Sequence, residues 1–211
     1  MSATNPATSK ASAKDKILQA ALSVIRSKGY AATTVDDLCA AAGVSKGAFF
    51  HHFDSKEALA IAAADHWSDV TGAFFAQAPY QGYADPLDRI LGYLDFRKSL
   101  LRGELPEFTC LVGTMVQETY DSSPSIRDAC ARSITGHVAD LERDINEAIA
   151  KYRINPPWTA ASLALYTQAV LQGAFVIAKA KNGVKDAVAC VEHLRRYVEL
   201  LFNRPKKEKA R

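Results

Sequence analysis

Residues 45–53 of this 211-residue chain read SKGAFFHHF. A helix-capping serine is followed by a cation, a residue with no side chain, and a run of rings and imidazoles. The first turn of a helix offers free N–H groups and the positive end of a dipole, so Ser45 and Lys46 suit a phosphate. If Phe49 faces inward, Lys46, Gly47, Phe50 and His51 face outward. The chemistry on offer is the binding of a polyanion. Nothing supports an enzyme: no Ser-His-Asp order, no phosphate-binding Gly loop and no metal cluster is present. Cys39, Cys110, Cys130 and Cys190 lie far apart without a CxxC pair, which argues against zinc ribbons, iron–sulfur sites and disulfide frameworks and points to a reducing compartment. His66, His137 and His193 are scattered without metal-ligand spacing. Neither a metal nor a cofactor is expected. Cys110 stands apart, because FTCLVGT follows Pro106 closely and places the thiol near a helix start, where the dipole favours thiolate chemistry.

The elements that must carry these groups are helices. Apolar residues Ile17, Leu18, Ala21, Val24 and Ile25 recur at helical spacing over 15–28, and Gly29 is a natural stop. Thr34 can cap a short helix with Asp36 and Asp37 in its first turn. Ser45 caps a second, 46–52, and Ser55 a longer one reaching about residue 76. Prolines at 86, 106, 124 and 156–157 suit helix starts, giving segments 87–102, 107–120, 125–152 and 158–181, and a last helix spans 185–202. No alternating strand pattern of useful length occurs, so the fold class is all-α.

Composition agrees with a globular chain, with 48% apolar and 23% charged residues. Charge is uneven: residues 1–56 carry +3, 57–202 carry −4 and 203–211 carry +4. A basic end on a mildly acidic body suits a polyanion touched at one place. Residues 1–13 read as a disordered arm and 204–211 as a solvated basic tail. Trp158 to Ala178 holds no charge over 21 residues, enough to cross a bilayer. Ser162, Thr167, Gln168, Gln172 and Gly173 within it favour a helix buried in protein, so no membrane partner is expected.

Residues 34–53, TVDDLCAAAGVSKGAFFHHF, are two short helices about a Gly-containing turn, the helix-turn-helix pattern. Gly43 allows the turn a positive φ, Cys39 is small where the helices approach, and Leu38, Val44 and Phe49 form the core between them. From Lys14 to Leu59 the chain resembles the N-terminal DNA-binding domain of the TetR (tetracycline-repressor) family, whose signature is matched by GVSKG, the aromatic-aromatic-His-Phe run and Ser55-Lys56-Glu57. The resemblance implies a three-helix DNA-binding domain over 14–56 and a helical effector-binding and dimerisation domain over 57–203. It implies that Thr33 and Thr34 contact backbone phosphate. By the same resemblance Lys46 and Gly47 would reach the major groove, Lys46 through a base edge or a phosphate, with Ser45 at the helix start beside a phosphate; Phe50 and His51 would pack on the sugar-phosphate chain, and His52 and Lys56 would hold phosphate. Phe50 stands where Tyr is common, Asp36 where a basic residue is frequent, and Ala48 is short, so affinity should lean on phosphates and depend steeply on salt.

A helix-turn-helix binds a half-site, and a palindromic operator requires a homodimer. Ala187, Val191, Leu194, Val198 and Leu201 recur at 4-3-4-3 spacing, a helix–helix seam that an intramolecular core would also explain; together with Leu163 and Val170 of the uncharged helix they resemble the family's four-helix dimer interface, which is the expectation here. Candidate effector-lining residues are Trp67, Phe74, Phe96, Leu100, Cys110, Met115, Tyr166 and Phe175. They predict an apolar pocket and a hydrophobic or aromatic small molecule. The expectation is a cytoplasmic repressor released from double-stranded DNA by such an effector, or, alternatively, a regulator of the same fold switched by oxidants or electrophiles through Cys110.

Overall fold

The structure is a computed structural model, and it describes residues 11–203. The arm expected at 1–13 therefore lies outside the described residues except at its end, and the tail 204–211 lies wholly outside them. Among the described residues there are ten α-helices, one 3₁₀ turn and no strand. The helices are α1 (Ala13–Lys28), α2 (Val35–Ala42), α3 (Lys46–His52), α4 (Lys56–Ala76), α5 (Pro86–Ser99), α6 (Leu105–Phe108), α7 (Leu111–Thr119), α8 (Pro124–Tyr152), α9 (Ala160–Lys181) and α10 (Lys185–Leu201).

Local chemistry explains most boundaries. α1 starts two residues earlier than its apolar spacing suggests, because Ser12 and Asp15 form a reciprocal capping box. Thr34 with Asp37 does the same for α2. Ser45 and Ser55 cap α3 and α4 by accepting the N–H groups of Ala48 and Ala58. Gly43 ends α2 at φ 64°, ψ 40°, the left-handed conformation the turn needs. The single helix expected over 107–120 is two helices, α6 and α7. The chain is extended at Thr109 and Cys110, and Cys110 becomes the N-cap of α7.

Two apolar cores result. The first joins Ile17, Leu18, Ala21 and Ile25 of α1 to Leu38, Phe49, Phe53 and Leu59, and continues into Leu111 and Met115 of α7 and Ile126 and Cys130 of α8. The second is built from α5, the C-terminal half of α8, α9 and α10, with Phe75 at the far end of α4. α4 starts at the expected boundary, 56/57, and runs from one core into the other. α9, which carries no charge before Lys179, is long and apolar enough to cross a membrane; here it packs between α8 and α10.

A Cβ at position 43 would meet no atom within 4 Å, so substitution there costs backbone energy alone. Gly43→Ala is expected to lower unfolding free energy by about 1–2 kcal/mol, and Gly43→Asn by less, since asparagine tolerates the left-handed region. Urea unfolding of the two variants measures the difference.

Candidate nucleic-acid interface and effector cavity

α3 is two turns long and is held from one side only. Phe49 is fully buried against Leu38 and Phe53, while Lys46, Gly47, Phe50 and His51 are exposed. Phe50 is 52% exposed, and the rings of His51 and His52 meet edge-on at 4.9 Å. Lys46 Nζ lies 2.8 Å from Asp36 Oδ1 on α2, with both side chains in solvent (59% and 71% exposed). The hydrogen bond that Lys46 donates to the Asp36 carboxylate raises the Lys46 pKa, so the cation on this face is already paired.

Three other expected phosphate ligands are committed internally. Thr33 is buried and its hydroxyl donates to the Gly29 carbonyl at 2.6 Å. Thr34 is exposed, but its hydroxyl is spent on the Asp37 capping box. Lys56 donates to the carbonyls of Tyr30 (3.1 Å) and Thr33 (2.9 Å) and lies 4.3 Å from the Tyr30 ring centroid. These groups shape the loop between α1 and α2. The same loop is gripped from the other domain: Glu118 on α7 accepts the N–H groups of Tyr30 (3.2 Å) and Ala31 (2.7 Å). Gly29 permits that approach, since a Cβ there would fall 2.5 Å from Glu118 Oε1.

Behind this headpiece lies a cavity of about 640 Å³, within the usual range for ligand sites. Of the expected lining residues, Trp67, Phe74, Leu100, Cys110 and Phe175 face it. Three do not. Phe96 stacks on Phe74, Phe75 and Tyr80 outside the lining. Met115 is fully buried in the first core. Tyr166 is on the outer face of α9, edge-on to Tyr197 at 5.4 Å. The cavity is also less apolar than expected: Arg26, Arg97, Arg102, Glu107, Gln168 and His137 contribute to its wall. Arg26 lies 5.0 Å over Trp67 and donates to the carbonyls of Leu22 (2.7 Å), Glu107 and Thr109 (both 3.4 Å). The sequence signal for the two inner arginines was their phase: Arg26 follows Leu22 by four, and Arg97 follows Ile90 by seven, each in line with an apolar stripe. Cys110 Sγ accepts the Gly113 N–H at 3.4 Å at the start of α7.

Ala187, Val191, Leu194, Val198 and Leu163 are buried within the chain itself, and Val170 and Leu201 pack half-buried on the same core. The 4-3-4-3 seam faces this chain's own helices, because spacing alone does not distinguish an internal helix contact from one between copies. What α9 and α10 leave in solvent is a different apolar face: Leu165 (58% exposed), Tyr166, Val176, Ile177, Tyr197 and Leu200 (74%).

Comparison with known proteins adds the lineage. Residues 17–63 match the family model for bacterial regulatory proteins of the tetR family, and residues 86–196 match a tetracyclin repressor-like C-terminal domain. The chain is 41% identical over 54 residues to YerO, an HTH-type transcriptional regulator of Bacillus subtilis, a stretch covering 26% of this chain but only 19% of that protein. It is 28% identical over 169 residues to YvdT of the same organism, 71% of this chain and 75% of that one. A solved structure of a cysteine mutant of the regulator CifR, complexed with 26-bp double-strand operator DNA, superposes with a TM-score of 0.72 at 22% identity, covering 85% of this chain and 94% of that one.

His137 gives the cavity wall a measurable pH response. Burial, reinforced by the Arg97 charge, holds its pKa at about 4, against an ordinary 6.5. The unfolded chain therefore takes up a proton that the folded one refuses. Stability is full above pH 6.5 and falls toward pH 4, by a total of about 3 kcal/mol. In His137→Asn this portion of the decline is expected to vanish, as read by urea midpoints at pH 7, 6 and 5.

Proposed function

This chain belongs to the tetR family of bacterial regulatory proteins, and as a DNA-binding transcriptional regulator of that family we propose that it represses transcription as a homodimer on a palindromic operator and is released by a small molecule. The observation that carries the DNA-binding part is α3: Phe49 anchors it inward, and Lys46, Gly47, Phe50 and His51 form its free face. Two such helices, about 34–36 Å apart, enter successive major grooves. The exposed apolar face of α9 and α10 supports the dimer, since contiguous apolar surface of this kind marks an interaction site. The work is cytoplasmic, where the operator is.

The cavity supports effector control. Arg26 belongs to α1 of the headpiece, yet lines the cavity and holds the end of α6. Glu118, on the helix that Cys110 starts, holds the loop that precedes α2. A ligand that prefers one arrangement of α6 and α7 therefore shifts the headpieces, by no more than that preference in free energy. A second reading rests on Cys110, a cavity-wall thiol at a helix start, which would switch the same elements by oxidation or reaction with an electrophile. Cys110→Ser separates the two, because it abolishes only the response to oxidant.

Gel-shift titration against the DNA flanking the chain's own gene tests the proposal. Lys46→Ala is expected to weaken binding and to reduce the salt slope by about one ion. Lys56→Ala is expected to weaken binding with an unchanged slope and to destabilise the protein by about 1–3 kcal/mol. Unimpaired sequence-specific binding by Lys46→Ala would falsify the site. Leu165→Glu combined with Leu200→Glu is expected to sediment as a monomer and to lose tight operator binding; a dimeric double variant would overturn the interface.

A further inference from the structure

We propose that the cavity takes an organic carboxylate, its head held by Arg97 and its apolar body lying among the aromatic rings. The proposal rests on the effector-site reading above and names the ligand class.

The other partly buried arginines of the effector body are neutralised. Arg89 is paired with Asp144 and Glu147, and Arg195 with Asp95 and Glu199. Arg97 differs. Among the described residues it has no carboxylate within ion-pair distance and no hydrogen-bond acceptor; its guanidinium is held only by ring faces, at 5.1 Å from Phe75, 5.6 Å from Phe175 and 5.9 Å from Tyr93. Ring faces attract the charge but leave the N–H donors unused. A half-buried charge in that condition is costly, and a planar oxyanion seated on the guanidinium fork removes the cost.

Two further observations agree. Gln168 is more than nine-tenths buried in the cavity wall, and its Oε1 has no hydrogen-bond partner. It needs a partner from whatever fills the space, and with its amide turned end for end it presents N–H donors to the same carboxylate. The charges at the wall are also unbalanced: three guanidinium groups stand against the one carboxylate of Glu107, which the Glu104 N–H already engages at 2.9 Å. Arg26 is one of the three, and burial lowers its pKa, the mark of a cation short of counter-charge. Because Arg26 sits on α1, an anion drawn toward it competes with its two long carbonyl contacts and pulls directly on the headpiece.

The test uses the full chain and matched pairs of probes: octanoate with octanamide, and 4-phenylbutyrate with 4-phenylbutyramide. Binding is read by calorimetry and by tryptophan fluorescence, for which Trp67 in the cavity wall is the reporter, and operator release is read by gel shift. The acids are expected to bind at least about tenfold more tightly than their amides and to release operator at correspondingly lower concentration. In Arg97→Gln the preference should vanish while amide binding persists. Arg97→Lys, which keeps the charge but loses the fork, should retain part of it, and circular dichroism confirms the fold of each variant. Equal binding of acids and amides would overturn the carboxylate assignment and leave the effector site standing. If no probe binds at millimolar concentration while operator is still bound, the assignment and the effector-site reading both fall.

Discussion

α1 has to bury itself against two bodies at once, and most of what this protein does depends on that. Ile17, Ala21 and Ile25 are almost fully buried, and the helix packs on α2, α3 and α4 of the headpiece and on α6 and α7 of the effector body. At about 1.5–3 kcal/mol per large apolar side chain, detaching either partner would forfeit a substantial part of the net stability of a domain. The first core therefore runs unbroken from Phe49 behind the DNA-facing helix to Met115 and Ile126. A displacement of α7 has no slack in which to die out before it reaches α3, because packed cores repack between discrete arrangements and do not stretch.

Polar contacts on the same axis tie the two bodies together. Glu118 grips two backbone N–H groups just after α1, and Lys56 grips three carbonyls of the same loop from the start of α4. The loop is thus held from α7 and from α4 together. Arg26 adds a third tie, from the last turns of α1 to the carbonyl end of α6. None of the three involves a residue on the exposed face of α3, the face proposed for the duplex.

The sequence was most legible where local chemistry decides. Caps at Thr34, Ser45 and Ser55, the left-handed Gly43 and the inward Phe49 each follow from residue type and spacing, and so the headpiece could be read nearly position by position. Interactions between distant segments were not legible. That Thr33 and Lys56 also brace the loop between α1 and α2 shows only once that loop is folded against them. Nothing local told Met115, in one core, from Phe175, in the other. The regular spacing of α10 announced a packed face but could not name its partner, and the face left over, with Leu165 and Leu200, breaks no rule of pattern. The charged part of the cavity wall was not legible, because an arginine in phase with an apolar stripe reads as an interruption of it, when here ring faces accept the cation.

The pairing of Lys46 with Asp36 has a consequence for life among a genome's worth of wrong sites. An isolated surface pair of this kind is cheap to break, so a correct sequence, with its full set of fitted contacts, hardly notices the expense. An arbitrary stretch of duplex offers little besides its backbone charge, and for it the same small expense is a larger fraction of the gain. On the proposed reading that expense is the same in both complexes, so the ratio of target to background affinity is unchanged, while both affinities fall and less of the protein is held on irrelevant duplex.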